Sequence, residues 1–230
     1  INSEVVNEKT KYQYKIESAR SFALVLSKDF ECMTAKHKNV SVNYYFYDDK
    51  TPEKSLEYAE KSLKLFNEKF GKYPYEHYSV VQTEFIQGGM EYPALVMISD
   101  DLEENAYGEV IVHETAHQWW YGAVGSDQIE EAWQDEGLAE YSALAFFEKY
   151  EKYGFLREDI VKEAVAEYRS YFDVYGSVLG RTDTRMTRNL GEYLSDYEYK
   201  CLAYDKAVIM FDTLRKSVGD KKFFSALKKY

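Results

Sequence analysis

With 230 residues, 45% of them hydrophobic, the chain can bury a sizeable core as one large domain, or one domain and part of another. Its 40 Asp and Glu against 29 Lys and Arg leave a net charge of −11 with no basic run. That argues against nucleic acid and anionic membrane as partners, because phosphate recognition needs a positive surface. Aromatic residues are plentiful (23 Tyr, 13 Phe) and Pro is scarce (3), which fits a packed domain and not a disordered segment.

In chain order, residues 11–47 read as strands. Tyr12, Tyr14 and Ile16 alternate with polar residues, Phe22 to Leu26 reads as a buried apolar run, and Val40 to Tyr47 alternates again. Pro52 stands where a first helical turn accepts it. Leu56, Ala59, Leu63 and Phe66 then repeat at helical spacing up to Phe70, and Gly71 closes that helix. Tyr78 to Phe85 and Ala94 to Ile98 read as strands, broken by Gly88-Gly89. Helices are expected over about 103–121, 131–150 and 156–174. A loop with Gly176, Gly180 and Gly191 follows, and the chain is helical again from about Tyr199. Strands first and helices after predict an α+β domain rather than alternating βαβ units. No apolar run is long enough to cross a bilayer, and no charged-then-apolar leader opens the chain. Cys32 and Cys201 lack the spacing of metal ligands, and nothing in the sequence supports a disulfide between them. Asn39-Val40-Ser41 has the form of a glycosylation sequon, a triplet common by chance.

The chemistry lies in His113-Glu114-Thr115-Ala116-His117. Positions i and i+4 share one helix face, so the two imidazoles can hold one Zn²⁺. Glu114, beside the first ligand, is placed to act as general base on water. A match of this kind arises by chance on the order of once in a hundred chains of this make-up. The case rests equally on Glu136. Eighteen residues separate it from His117, room for a turn and the start of the next helix. Two His and one carboxylate leave an open position, the arrangement of a catalytic zinc. Glu140, one turn beyond Glu136, is placed to accept a hydrogen bond from a zinc-bound imidazole or to face solvent.

These residues, with Gln118-Trp119-Trp120 and Asp135-Glu136-Gly137-Leu138-Ala139, resemble the aminopeptidase N family of gluzincin zinc metallopeptidases. Gly88-Gly89-Met90-Glu91-Tyr92 is similar to that family's exopeptidase signature, and Tyr204-Asp205-Lys206-Ala207 to its downstream tyrosine motif. The resemblance covers roughly residues 40–230. It implies a thermolysin-like fold: a small mixed sheet, then a mainly helical lobe. Residues 1–38 would be tail strands of a preceding β domain, and 39–230 the catalytic domain. It implies peptides with a free N-terminus as substrates, with Glu91 holding the α-ammonium and Tyr204 donating to the oxyanion. Gly88 and Gly89 would bring backbone close to the substrate, and Met90 would line the pocket for its first side chain. Only the resemblance selects Tyr204, with Tyr197 and Tyr199 as rivals. Tyr92 stands where the family often has Asn, and Ala207 where it often has Gly. Flanking domains of the same polypeptide would complete the substrate contacts, so a 230-residue piece is expected to bind zinc and turn over poorly. Three other readings stay open: a zinc endopeptidase, against which Glu91 argues; an epoxide hydrolase, as in one branch of the family; and a non-catalytic scaffold of the same fold.

Overall fold

A computed structural model describes residues 2–7, 9–180 and 182–230. Strands β1 (Asn2–Val6) and β2 (Lys9–Gln13) form an antiparallel pair of their own. The main sheet has five strands: β3 (Glu31–His37), β4 (Val40–Phe46), β5 (His77–Thr83), β6 (Gly89–Met90) and β7 (Leu95–Ser99). Their order is β3-β4-β5-β7-β6. The inner strands β4, β5 and β7 run parallel, and the edge strands β3 and β6 run antiparallel to their neighbours. The expected division at 38/39 falls in the turn between β3 and β4, which pair along their whole length.

Helix α1 (Pro52–Lys69) makes the crossover from β4 to β5. Its Leu56, Ala59, Leu63 and Phe66 are buried, as their spacing predicts. They pack with Val40, Val42, Tyr44 and Phe46, the alternate residues of β4 that face the core. Helix α2 (Glu104–Ala116) lies beside α1. The helical lobe follows: α3 (Ala132–Lys149), α4 (Arg157–Leu179), α5 (Asp196–Tyr199), α6 (Lys206–Val218) and α7 (Asp220–Lys229). A π-helical turn, Lys200–Asp205, joins α5 to α6. No helix among the described residues is long and apolar enough to cross a membrane.

Three expectations need correction. The run Phe22 to Leu26 is neither buried nor a strand. Phe22, Leu24 and Leu26 point outward, while the smaller Ser21, Ala23 and Val25 are half-buried. Its period-two pattern is that of extended chain, but among the described residues no neighbouring strand pairs with it. Helix α2 stops at Ala116, five residues before the expected end. The three residues after His117 are each tied elsewhere: Gln118 to the 92–94 loop, Trp119 Nε1 to Gly71 O and Trp120 Nε1 to Ser142 Oγ. A continued helix would rotate them off these partners. Helix α4 runs on to Leu179, carries Gly176 inside it, and ends at Gly180 in the left-handed region (φ 65°). Cys32 and Cys201 are both free thiols.

Candidate metal centre

Helix α2 carries His113 and Glu114 in its last turn. His117 caps it and keeps helical dihedrals (φ −62°, ψ −14°), so the i, i+4 relation survives the helix end. Helix α3 packs against α2 and presents Glu136 and Glu140 from successive turns. Among the described residues His113, His117 and Glu136 form the one group whose ligand atoms converge as a metal site would require. His113 Nε2 lies 3.0 Å from His117 Nε2 and 3.2 Å from Glu136 Oε2, which is 3.4 Å from His117 Nε2. Ligands about 2.05 Å from a tetrahedral zinc stand roughly 3.3 Å apart. The three atoms therefore already outline one face of such a tetrahedron.

Both imidazoles are oriented from behind. His113 Nδ1 lies 2.8 Å from Glu140 Oε2, and His117 Nδ1 lies 3.0 Å from the carbonyl of Trp120. A carbonyl only accepts, so His117 Nδ1 carries a proton, which leaves Nε2 as the nitrogen that would ligate a metal once its own proton is displaced. Glu140, itself partly exposed, stands in the same relation to His113 Nδ1. Burial pushes the His113 imidazole down, but hydrogen bonds to Glu136 and Glu140 outweigh it and hold the ring well above its ordinary value. His117 is likewise opposed by burial, then raised to about 9 chiefly by Glu136. Burial works against ionisation of Glu136, yet hydrogen bonds from the two imidazoles keep it well below the carboxylate range. The pocket thus concentrates negative charge where a divalent cation would sit.

Glu114 is buried, and its Oε2 has no hydrogen-bond partner in the protein. Burial, partly countered by His117 and His113, pushes its carboxyl up to about 7. Its side chain lies directly on β6: a Cβ on Gly89 would stand 2.2 Å from Glu114 Oε1. Gly88, with φ 83°, turns the chain into that strand, and its carbonyl accepts from Ser99 N at 2.7 Å. Met90 pairs with Met97 of β7, and Glu91 follows at once, 5% exposed. Gln118 fixes this edge to α2. Its Oε1 accepts from Ala94 N at 2.8 Å and its Nε2 donates to Tyr92 O at 3.1 Å. Gln128 Nε2 donates to Glu91 Oε1 at 2.5 Å.

The other wall is the π turn. Tyr204 stacks on the His113 ring (centroids 5.8 Å apart, planes at 19°) and meets Tyr199 edge-on at 5.4 Å. Tyr199 Oη donates to Glu136 Oε1 at 3.4 Å. Burial first, then the Glu136 charge, holds the Tyr204 phenol well above its ordinary value, so it keeps its proton. Tyr197 packs away from the site, against Tyr175 in a separate cluster around Tyr171 and Cys201. The approach of this wall depends on Gly137, where a Cβ would stand 2.4 Å from Ala207 Cβ and 3.2 Å from Ala203 O.

Of the nine sequence-predicted positions, His113, His117 and Glu136 converge, Tyr204 stacks on His113 and Gly89 lies against Glu114, while Gly88, Met90 and Glu91 flank Gly89 along the same strand edge. The brace residues Gln118 and Gln128, and the carbonyl of Trp120, are additions that spacing did not signal.

A model of the "Peptidase family M1 domain" matches residues 54–230. Aminopeptidase RNPEPL1 of Mus musculus and of Homo sapiens is 34% identical over 88 residues, covering 36% of this chain. Aminopeptidase 2 of Candida albicans is 33% identical over 100 residues, covering 38% of this chain. The matched stretches span only 12% and 11% of those relatives. The crystal structure of an M1 zinc metallopeptidase from Deinococcus radiodurans superposes with a TM-score of 0.62 at 23% identity, over 87% of this chain and 44% of that one. A variant of it bound to a Tyr-Ser-Ala substrate superposes at 0.58 with 21% identity, over the same 87% and 44%.

Proposed function

The chain belongs to peptidase family M1, and from that premise we propose that it releases single residues from the free N-terminus of peptides. The observation that carries the exopeptidase reading is Glu91, a buried carboxylate at the end of β6 with one neutral hydrogen-bond donor. A carboxylate removed from water rewards a charged amine and gives an internal peptide nothing in return.

His113, His117 and Glu136 hold the zinc. When bound, that ion supplies a Lewis acid for the scissile carbonyl and a water acidified towards about pH 7. Glu114 takes the proton from the attacking water and passes it to the departing amine nitrogen. Its lid of Gly89 backbone limits it to few positions, and its buried, partnerless Oε2 is free to receive that proton. Tyr204 remains a phenol and donates to the developing oxyanion. The open edge of β6, through Gly88 and Gly89, lies along the substrate backbone, and Met90 lines the pocket for the first side chain. Glu140 and the Trp120 carbonyl keep both imidazoles in the ligating tautomer. Neighbouring domains of the same polypeptide supply further substrate contacts, so the 230-residue piece alone binds zinc but turns over slowly.

The test compares amino-acid p-nitroanilides with their N-acetyl forms, in wild type and Glu114→Gln. A strong preference for the free amine, with turnover lost and zinc retained in the variant, supports the reading. Equal cleavage of both forms makes the protein an endopeptidase, and loss of zinc from Glu114→Gln removes Glu114 from its role.

A further inference from the structure

The amine anchor has a brace of its own, on the loop that links the first two metal ligands to the third. That connection starts at His117 on the end of α2, ends at Glu136 in α3, and carries Gln128 midway. Its Nε2 reaches across to Glu91 Oε1, 2.5 Å away and 37 positions earlier in sequence. We infer that Gln128 is a positioning residue for the substrate amine, aiming the Glu91 carboxylate at the ammonium without neutralising it. The inference rests on the aminopeptidase reading above.

Two features support it. The first is the donor's chemistry. An amide N–H orients one carboxylate oxygen and leaves both the negative charge and the second oxygen for a ligand. Lys or Arg in its place would form the ion pair that the substrate is meant to form. The second is rigidity. Asp127 Oδ1 accepts from Ile129 N at 3.0 Å and Glu130 N at 3.1 Å, and Glu131 N donates to Asp127 O at 2.7 Å. From the opposite side Leu190 N donates to Ile129 O at 2.7 Å, and Asn189 Nδ2 to Glu130 Oε1 at 2.9 Å. The loop is irregular but held on both flanks of Gln128. Its geometry is set before a substrate arrives, which is where positioning gains its effect.

The experiment uses zinc-loaded Gln128→Met, which keeps the length and loses the donor, and Gln128→Lys, which supplies a rival cation. Substrates are the free-amine and N-acetyl p-nitroanilides of whichever of alanine, leucine or arginine the wild type cleaves fastest. Calorimetric binding of L-leucinol and N-acetyl-L-leucinol gives a readout independent of turnover, and zinc content and Tm establish that each variant is folded. Loss of a hydrogen bond to a buried charge predicts a KM for the free amine raised about tenfold in Gln128→Met. Occupation of Glu91 by the lysine predicts a larger rise, on the order of a hundredfold, in Gln128→Lys. L-leucinol affinity falls in parallel, while kcat and the N-acetyl compounds move by less than about threefold. Unchanged L-leucinol binding in Gln128→Lys, or an equal loss for free and acetylated compounds in both variants, overturns the inference. A wild type indifferent to the free amine overturns the aminopeptidase reading itself, a result separable from either.

Discussion

Replacing Gly89 with Ala tests whether the position of Glu114, and not its mere presence, sets the rate. The added methyl would lie 2.2 Å from Glu114 Oε1 and 2.5 Å from Cδ. Ordinary contact between a methyl and a carboxylate oxygen is about 3.4 Å, so the carboxylate must retreat by about 1.2 Å. Gly89 lies in a strand and has no positive φ, so the backbone itself accepts Ala. Glu114 is not a metal ligand, so zinc binding should survive. A misplacement of about 1 Å at a catalytic group costs on the order of a hundredfold in rate, or about 2.7 kcal/mol of barrier. Gly89→Ala is therefore expected to lower kcat about a hundredfold with KM changed by less than about threefold. Steady-state kinetics with metal content by elemental analysis would measure this. A Gly89→Ala protein with full zinc and wild-type kcat would refute the assignment of Glu114 as the proton carrier, or its contact with the strand.

Other outcomes follow from the same geometry. Wild type should carry about one zinc per chain; Glu136→Ala should lose it, and Glu140→Gln should retain it with affinity weakened roughly 10- to 100-fold, read by chelator competition. Gly137→Ala forces a methyl against Ala207 and Ala203 O, and overpacking of this kind costs about 1–3 kcal/mol. Calorimetry should show Tm lower by about 2–10 °C. Asp212 is buried, which opposes its ionisation, yet hydrogen bonds from Lys216 and Arg157 hold its carboxyl below the ordinary range. Stability from this group is present above its unfolded value near pH 4 and is lost as pH falls through the lower folded value. Asp212→Asn should cost about 3 kcal/mol near neutral pH and flatten the decline of Tm below about pH 4.

The convergence of His113, His117 and Glu136 was legible because one helix period fixes the relation of His113 to His117, and a short connection limits where Glu136 can go. The burial stripe of α1 and the alternation of β4 were legible for the same reason, since each is a local pattern. What escaped depends on partners far away in the chain. Gln128 has meaning only beside Glu91, 37 positions away. The end of α2 is set by tryptophans that reach Gly71 and Ser142. Phe22 to Leu26 shows the hydropathy of a core strand, yet among the described residues nothing covers its large side chains. Choosing Tyr204 among 23 tyrosines required the family resemblance, because no periodicity marks it.

The reason no periodicity marks it is the π turn at Lys200–Asp205. In a regular α-helix, residues five apart diverge by about 140° around the axis. The wider turn closes i to i+5 and brings Tyr199 and Tyr204 round to the same carboxylate. The segment thus runs on two phases. Upstream, its phase is set by Glu136, the proposed zinc ligand that Tyr199 reaches; downstream, by the buried stripe Ala207, Val208, Phe211, Asp212 and Arg215. One residue of slack lets both be satisfied. Deleting a single residue here would restore an ordinary helix and turn everything after it by about 100° with a shift of about 1.5 Å. Either the phenols would keep their target and the stripe would face solvent, or the stripe would stay packed and the phenols would sweep off the metal. A helix drawn at constant pitch through this stretch cannot serve both.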